Sequence, residues 1–134
     1  MTLDGAAKIG GYAFFGCASL ATADLGSATS VGESAFSGCA SLADVDLSKV
    51  VSVGEHAFYH CALAEADLSS AKTIGYGAFT GNDLQRVAFS AGLKTVDAKA
   101  FHGCSFYEGG SRLPVDAASL AGKEFSGSDG RLSA

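Results

Sequence analysis

The sequence predicts a solenoid, one chain wound into short stacked coils that each pair a strand with a tight turn. Three observations carry this. Phe14, Phe36, Phe58, Phe79 and Phe101 recur at spacings of 22, 22, 21 and 22 residues, each preceded by Ala. Five positions before each stands a β-branched residue: Ile9, Val31, Val53, Ile74 and Val96. After the first four comes an apolar frame, Leu20-x-x-Ala23-x-Leu25, Leu42-x-x-Val45-x-Leu47, Leu63-x-x-Ala66-x-Leu68 and Leu84-x-x-Val87-x-Phe89. Self-similarity at a fixed period of this length is the signature of repeat architectures. A single unit cannot bury its own apolar side chains, but stacking turns each column into continuous core. The repeated residues are therefore core, and the variable ones face solvent.

Composition agrees with one packed unit. A chain of 134 residues is about one domain long. Its 48% hydrophobic and 17% charged content argues for a packed fold over disorder. A net charge of −5 speaks against nucleic acid as a partner, because phosphate binding needs clustered Lys and Arg. No segment approaches the apolar length of a membrane span, and no charged-then-apolar signal opens the chain.

Each element has its own reason. The L-x-x-(A/V)-x-L stretch ends in a period-2 step and predicts a short strand with its apolar side inward. The segment between the β-branched residue and Cys, such as "GESAFSGC", is too short for a full helix and predicts one helical or 3₁₀ turn on the opposite wall. Gly10, Gly32, Gly54 and Gly75 open that turn, for a positive φ or for close approach of backbones. Asp97 replaces Gly in the fifth unit, and Asp tolerates left-handed geometry better than most residues. The array is expected over residues 1–105, about five repeats of 21–22 residues that begin mid-repeat. Met1-Thr2-Leu3 aligns with Ala23-Asp24-Leu25, so the first repeat is expected to be uncapped. That predicts either a fragment of a longer array or self-association through the N-terminal face. Residues 106–134 drop the frame and are expected to form a C-terminal cap, with a short helix near Pro114–Leu120 and two strands about the turn in "KEFSGSDGRLS".

The frame "IGxxAFxxCxxLxxVxLxxxxxI" resembles the leucine-rich repeats of bacterial surface antigens, the BspA-like or Treponema-type class. The resemblance runs from about Met1 to Cys104, and its A-F-x-x-C element separates it from other leucine-rich classes. It implies a leucine-rich-repeat solenoid, curved, with short parallel strands on one face. It further implies a segment of a larger cell-surface or secreted protein of a host-associated microbe, with adhesion or protein binding as its role.

Several residues carry candidate chemistry. Cys17, Cys39, Cys61 and Cys104 share one column with Asn82. Adjacent coils place equivalent residues about 4.8 Å apart, but their parallel Cβ vectors disfavour a bridge. At most one disulfide, between neighbours among the first three, competes with the favoured reading of buried free thiols. In that reading Asn82 hydrogen-bonds loop backbone. His56 and His60 lie four apart, with Tyr59 and His102 nearby. A chelating pair needs a true helix and a third ligand, so solvent-facing substitution is favoured over a metal site. No nucleophile–base constellation is found, and no cofactor is expected.

The strands project Thr22, Asp24, Asp44, Asp46, Glu65, Asp67 and Arg86 outward, together with Ala88. Five of these eight positions are acidic. Like charges about 5 Å apart in water repel by only about 0.8 kcal/mol, so the strip can exist merely for solubility. A basic partner would nonetheless relieve it, and solenoids bind on such extended surfaces. The seven charged or hydroxylated positions are the expected binding face, with Arg86 at its boundary. The expected function is a non-enzymatic binding module for a protein or glycan ligand, host-derived and basic. The alternative is a rigid spacer with no ligand of its own.

Overall fold

The computed structural model describes residues 7–134. Met1–Leu3, on which the mid-repeat start and the self-association surface were read, lie outside the described residues.

Each coil contributes to two walls. On the first, the β-branched residue closes a two-residue strand: β1 (Lys8–Ile9), β3 (Ser30–Val31), β5 (Ser52–Val53), β7 (Thr73–Ile74) and β9 (Thr95–Val96). Between them on the second wall come β2 (Thr22–Ala23), β4 (Asp44–Val45), β6 (Glu65–Leu68) and β8 (Arg86–Phe89). The first set forms one five-stranded parallel sheet in the order β1-β3-β5-β7-β9. Ile9, Val31, Val53, Ile74 and Val96 stand in register along it. Only the second set was expected from the alternating frame, because a two-residue strand has no alternation to read.

The Ala-Phe segment is neither α-helix nor 3₁₀-helix. In the second coil Ala35, Ser37 and Cys39 donate their N–H groups to Gly32, Ser34 and Phe36, three residues back (3.2 Å each). Ser34 and Gly38, with φ of 53° and 76°, break the right-handed sense, so these turns chain together without winding into a helix. The alternate N–H groups, of Ser34, Phe36 and Gly38, cross to Glu55, Ala57 and Tyr59 of the next coil (2.8–2.9 Å). A helix would spend every N–H internally. This wall divides them between its own turn and its neighbour, which leaves the stack laterally bonded.

The glycines that open the turns are explained by close approach, not by positive φ. A Cβ on Gly32, Gly54 or Gly75 would stand 2.7–2.8 Å from backbone of the preceding coil. Their φ values are not left-handed, and neither is that of Asp97. The reason expected for Asp97 therefore does not hold.

Inside, the five repeat phenylalanines stack face to face, with successive ring centroids 5.2, 5.3, 5.5 and 5.2 Å apart. Phe36, Phe58, Phe79 and Phe101 are buried, whereas Phe14, in the first described coil, is half-buried. Beyond them the stack ends in an edge-to-face cluster of Phe89, Phe106 and Phe125.

All four cysteines are free. Cys39 and Cys61 are buried, and their Sγ–H groups donate to the carbonyls of Phe14 and Phe36 (3.1 and 3.0 Å). Asn82 does the same to Phe58 with Nδ2 (2.7 Å), while its Oδ1 accepts from the Leu63 N–H (2.9 Å). The fully buried thiols are thus Cys39 and Cys61, with half-buried Asn82 continuing their column. Cys17 is exposed and Cys104 only half-buried, which corrects the expectation of a four-thiol buried ladder.

The C-terminal elements are β10 (Ser105–Glu108), β11 (Ser111–Leu113), α1 (Ala117–Leu120), β12 (Glu124–Ser128) and β13 (Arg131–Ser133). Asp116 caps α1 by accepting from the Ser119 N–H (2.8 Å). The β10–β11 hairpin was not expected. The sheet order β11-β10-β13-β12-β8-β6 shows that these strands extend the second wall instead of standing apart from it. Phe106, Leu120, Phe125 and Leu132 join the common core.

Candidate binding face

Thr22, Asp24, Asp44, Asp46, Glu65, Asp67 and Arg86 are all exposed, on the second wall. Their inward neighbours Ala23, Leu25, Leu47, Ala66, Leu68, Val87 and Phe89 are buried, and Val45 is half-buried. Parallel pairing sets Thr22 beside Asp44 and Glu65 beside Arg86. The wall is not one sheet, however. β2 and β4 form a pair of their own, and β6 begins the six-stranded sheet. The division falls where the corner shortens: two residues separate Cys39 from Leu42, but only one separates Cys61 from Leu63. The ladder cannot run through that change in length, and a groove of about 360 Å³ opens there, with Asp44, Asp46, Glu65 and Asp67 in its lining.

The two acidic columns differ in what they do locally. Asp24, Asp46 and Asp67 each accept the N–H two residues on, from Gly26, Ser48 and Ser69 (2.9, 2.9 and 3.1 Å). Asp46 also accepts the Ser48 hydroxyl (2.6 Å). That hydroxyl, then the N–H, hold its carboxyl below the usual range, with Lys49 adding to the effect and burial opposing it. All three make Asx turns, Asp24 and Asp46 just past the ends of β2 and β4 and Asp67 near the end of β6. Asp44 and Glu65, two residues earlier on the same face, make no such bond among the described residues and present free carboxylates.

Arg86 does not mark the edge of the face. β12 pairs antiparallel with β8, placing Glu124 opposite Ala88, and the Arg86 guanidinium donates to Glu124 Oε1 (2.9 Å). The hydrogen bond to Glu124, then its charge and that of Glu65, push the guanidinium further up. Both partners are more than half exposed, so the pair contributes little to stability. Glu124 and Arg86 share a second cavity of about 350 Å³ with Glu65 and Asp67. Glu124 was missed because the pattern of "KEFSGS" shows a strand without showing which sheet it joins.

On the opposite wall His56 is half-buried, edge-on to Tyr59 (5.0 Å) and to Tyr76 (5.2 Å), while His60 and His102 are exposed. His56 is thus packed among aromatics and not merely solvent-facing. Among the described residues no three His, Cys, Asp or Glu side chains gather as metal ligands, and no helix is long and apolar enough to cross a membrane.

Parallel two-wall coils, an inward phenylalanine stack and a Cys/Asn column on the Phe carbonyls define a leucine-rich-repeat solenoid. The chain belongs to the BspA type leucine-rich repeat family, whose model matches in six copies across residues 4–110. That is one copy more than the phenylalanine register counts. No curated protein and no solved structure gives a significant match. Repeats of this family are generally non-enzymatic and mediate protein interactions, typically in surface or secreted proteins.

Proposed function

We propose that this chain is a binding module of a larger surface or secreted protein, engaging a basic protein segment through the second wall. Residues 106–134 serve in this reading as the terminal cap of the array. The observation that carries it is the acidic groove between β4 and β6, where Asp44 and Glu65 hold carboxylates that no local turn consumes. The mechanism is additive: each of the first three coils offers one or two carboxylates to cationic side chains, and strand pairing keeps them in place. Such binding weakens as salt screens it.

The test is the anisotropy of a labelled Lys/Arg-rich peptide titrated with the chain. Asp44→Lys with Glu65→Lys should abolish binding, with no loss of folding because neither residue holds a turn. Glu33→Lys with Glu55→Lys makes the same change in net charge on the other wall and should leave most of the affinity. Equal losses from both pairs would show that net charge alone attracts the peptide. That result, or no binding at all, would favour the rigid-spacer reading.

A further inference from the structure

The lateral bonding of the turn wall fails at one place. From the first coil to the second, Tyr12, Phe14 and Gly16 donate across to Glu33, Ala35 and Ser37. Ser34, Phe36 and Gly38 do so to the third coil, and His56, Phe58 and His60 to the fourth. Of the three equivalent N–H groups of the fourth coil only that of Phe79 donates, to Ala100 (2.8 Å), and the Thr80 hydroxyl adds a longer bond to the Lys99 carbonyl (3.3 Å). Gly77 and Gly81, the equivalents of His56 and His60, make no such bond among the described residues.

Asp97 supplies the cause. It occupies the position where the three preceding coils need a glycine, because a Cβ there meets the backbone of the coil before. Its carboxylate also accepts the Lys99 N–H (2.8 Å). Lys99, unlike Tyr12, Ser34, His56 and Gly77 at the same register, is not left-handed. The fifth turn therefore stands off the fourth, and a cavity of about 230 Å³ lies between them.

The lining of that cavity is chemically distinct from the rest of the molecule. Lys99 and His102 come from the fifth coil, Tyr76 and the Gly77 backbone from the fourth, and Tyr59 and His56 from the third. No acidic side chain lines it, on a chain whose net charge is −5. Two acids touch lining residues from outside the lining: Glu55 approaches His56 (3.7 Å), and Asp97 accepts the Lys99 backbone N–H (2.8 Å). Lys99 has no ion-pair partner among the described residues. Gly77 is buried, and its equivalents aim their N–H groups at the next coil, so its own is aimed into the gap. A buried N–H without a partner is costly and invites an acceptor. Tyr76, 46% exposed, offers an apolar ring face beside these donors.

We propose that this cavity binds a small cyclic carboxylate. The carboxylate accepts from the Gly77 N–H and pairs with the Lys99 ammonium, while the ring lies against Tyr76 and Tyr59. An acidic sugar and an aryl carboxylate share this chemistry. The site is on the wall opposite the acidic groove, so it stands or falls independently of strand-face binding.

The test is calorimetric titration of the full chain with glucuronate and with benzoate, using glucose and acetate as controls. At least one cyclic carboxylate should bind at concentrations up to about 10 mM, the range a ligand of this size reaches with a few good contacts. Whichever binds identifies the source of the ring. Lys99→Ala and Tyr76→Ala, both exposed and tolerable to the fold, should each weaken it by about tenfold. Asp97→Gly should let the fifth turn close onto the fourth and remove binding while raising the melting temperature. No binding of either acid, equal binding of glucose, or affinity unchanged in Lys99→Ala would overturn the assignment.

Discussion

Cys39, Cys61 and Asn82 perform one task with two chemistries. Each side chain satisfies a Phe carbonyl of the previous coil, and Asn82 adds an acceptor for Leu63 where the corner has lost a residue. Burial, with the neighbouring Cys39 a smaller contributor, pushes the Cys61 thiol up to about 12, and burial also raises Cys39 and Cys104. Thiolate is the reactive form, so buried Cys39 and Cys61 should be the last thiols alkylated in the native chain and exposed Cys17 the first. Mass-resolved labelling with iodoacetamide checks this, and simultaneous modification of all four would show that the column is open. The same displacement has a thermodynamic sign. Above an unfolded value near 9.0 the unfolded chain releases a proton that folded Cys61 retains until about 12. The thiol's contribution is therefore complete below the lower value and is lost across that window. Denaturant midpoints should fall from about pH 8 to about pH 10, and fall less in Cys61→Ala.

The turn is the element in which sequence and structure are most tightly joined. Gly54→Ala places a Cβ 2.7 Å from the Gly32 carbonyl carbon, against backbone that cannot yield. Overpacking of this kind costs about 2–3 kcal/mol. Gly10, in the first described coil, has nothing within 4 Å of the same added atom, so Gly10→Ala should be near neutral. Urea unfolding of the two variants separates these outcomes, and equal effects would remove close approach as the reason for the glycine column. Its regularity was legible from Gly10, Gly32, Gly54 and Gly75 alone. Its reason was not, because positive φ and close approach leave the same residue in the sequence. The left-handed residues lie elsewhere in the turn, at Tyr12, Ser34 and His56, where residue type does not announce them, and at Gly16, Gly38, Gly81 and Gly103, where it does.

At the scale of the molecule, stability is a sum of contacts between neighbouring coils. Phe58 is stacked on both sides, by Phe36 and Phe79, and is fully buried, whereas Phe14 stacks on Phe36 and is half-buried. Phe58→Ala should cost about 3–5 kcal/mol, as truncations of buried phenylalanine do. Phe14→Ala should cost clearly less. Equal and small losses in thermal or urea unfolding would mean that the rings do not form a load-sharing column. The two cavities outside this core have opposite polarity, acids in the groove of the strand wall and aromatics with Lys99 and His102 in that of the turn wall. That polarity arises because only inward positions are constrained by stacking.

The sequence by itself determined the solenoid, its period and its inward columns, since burial acts identically on every coil and writes the same residues each time. It also determined which strand residues face outward, because alternation separates the two sides of a strand. Only the tertiary structure decided which carboxylates are free, since Asp46 and Asp44 look alike until the Ser48 N–H is found on one of them. Likewise it alone placed Glu124 on the strand wall and opened the gap at Asp97. These depend on how one coil meets another, and a contact between coils is written in no single stretch of chain.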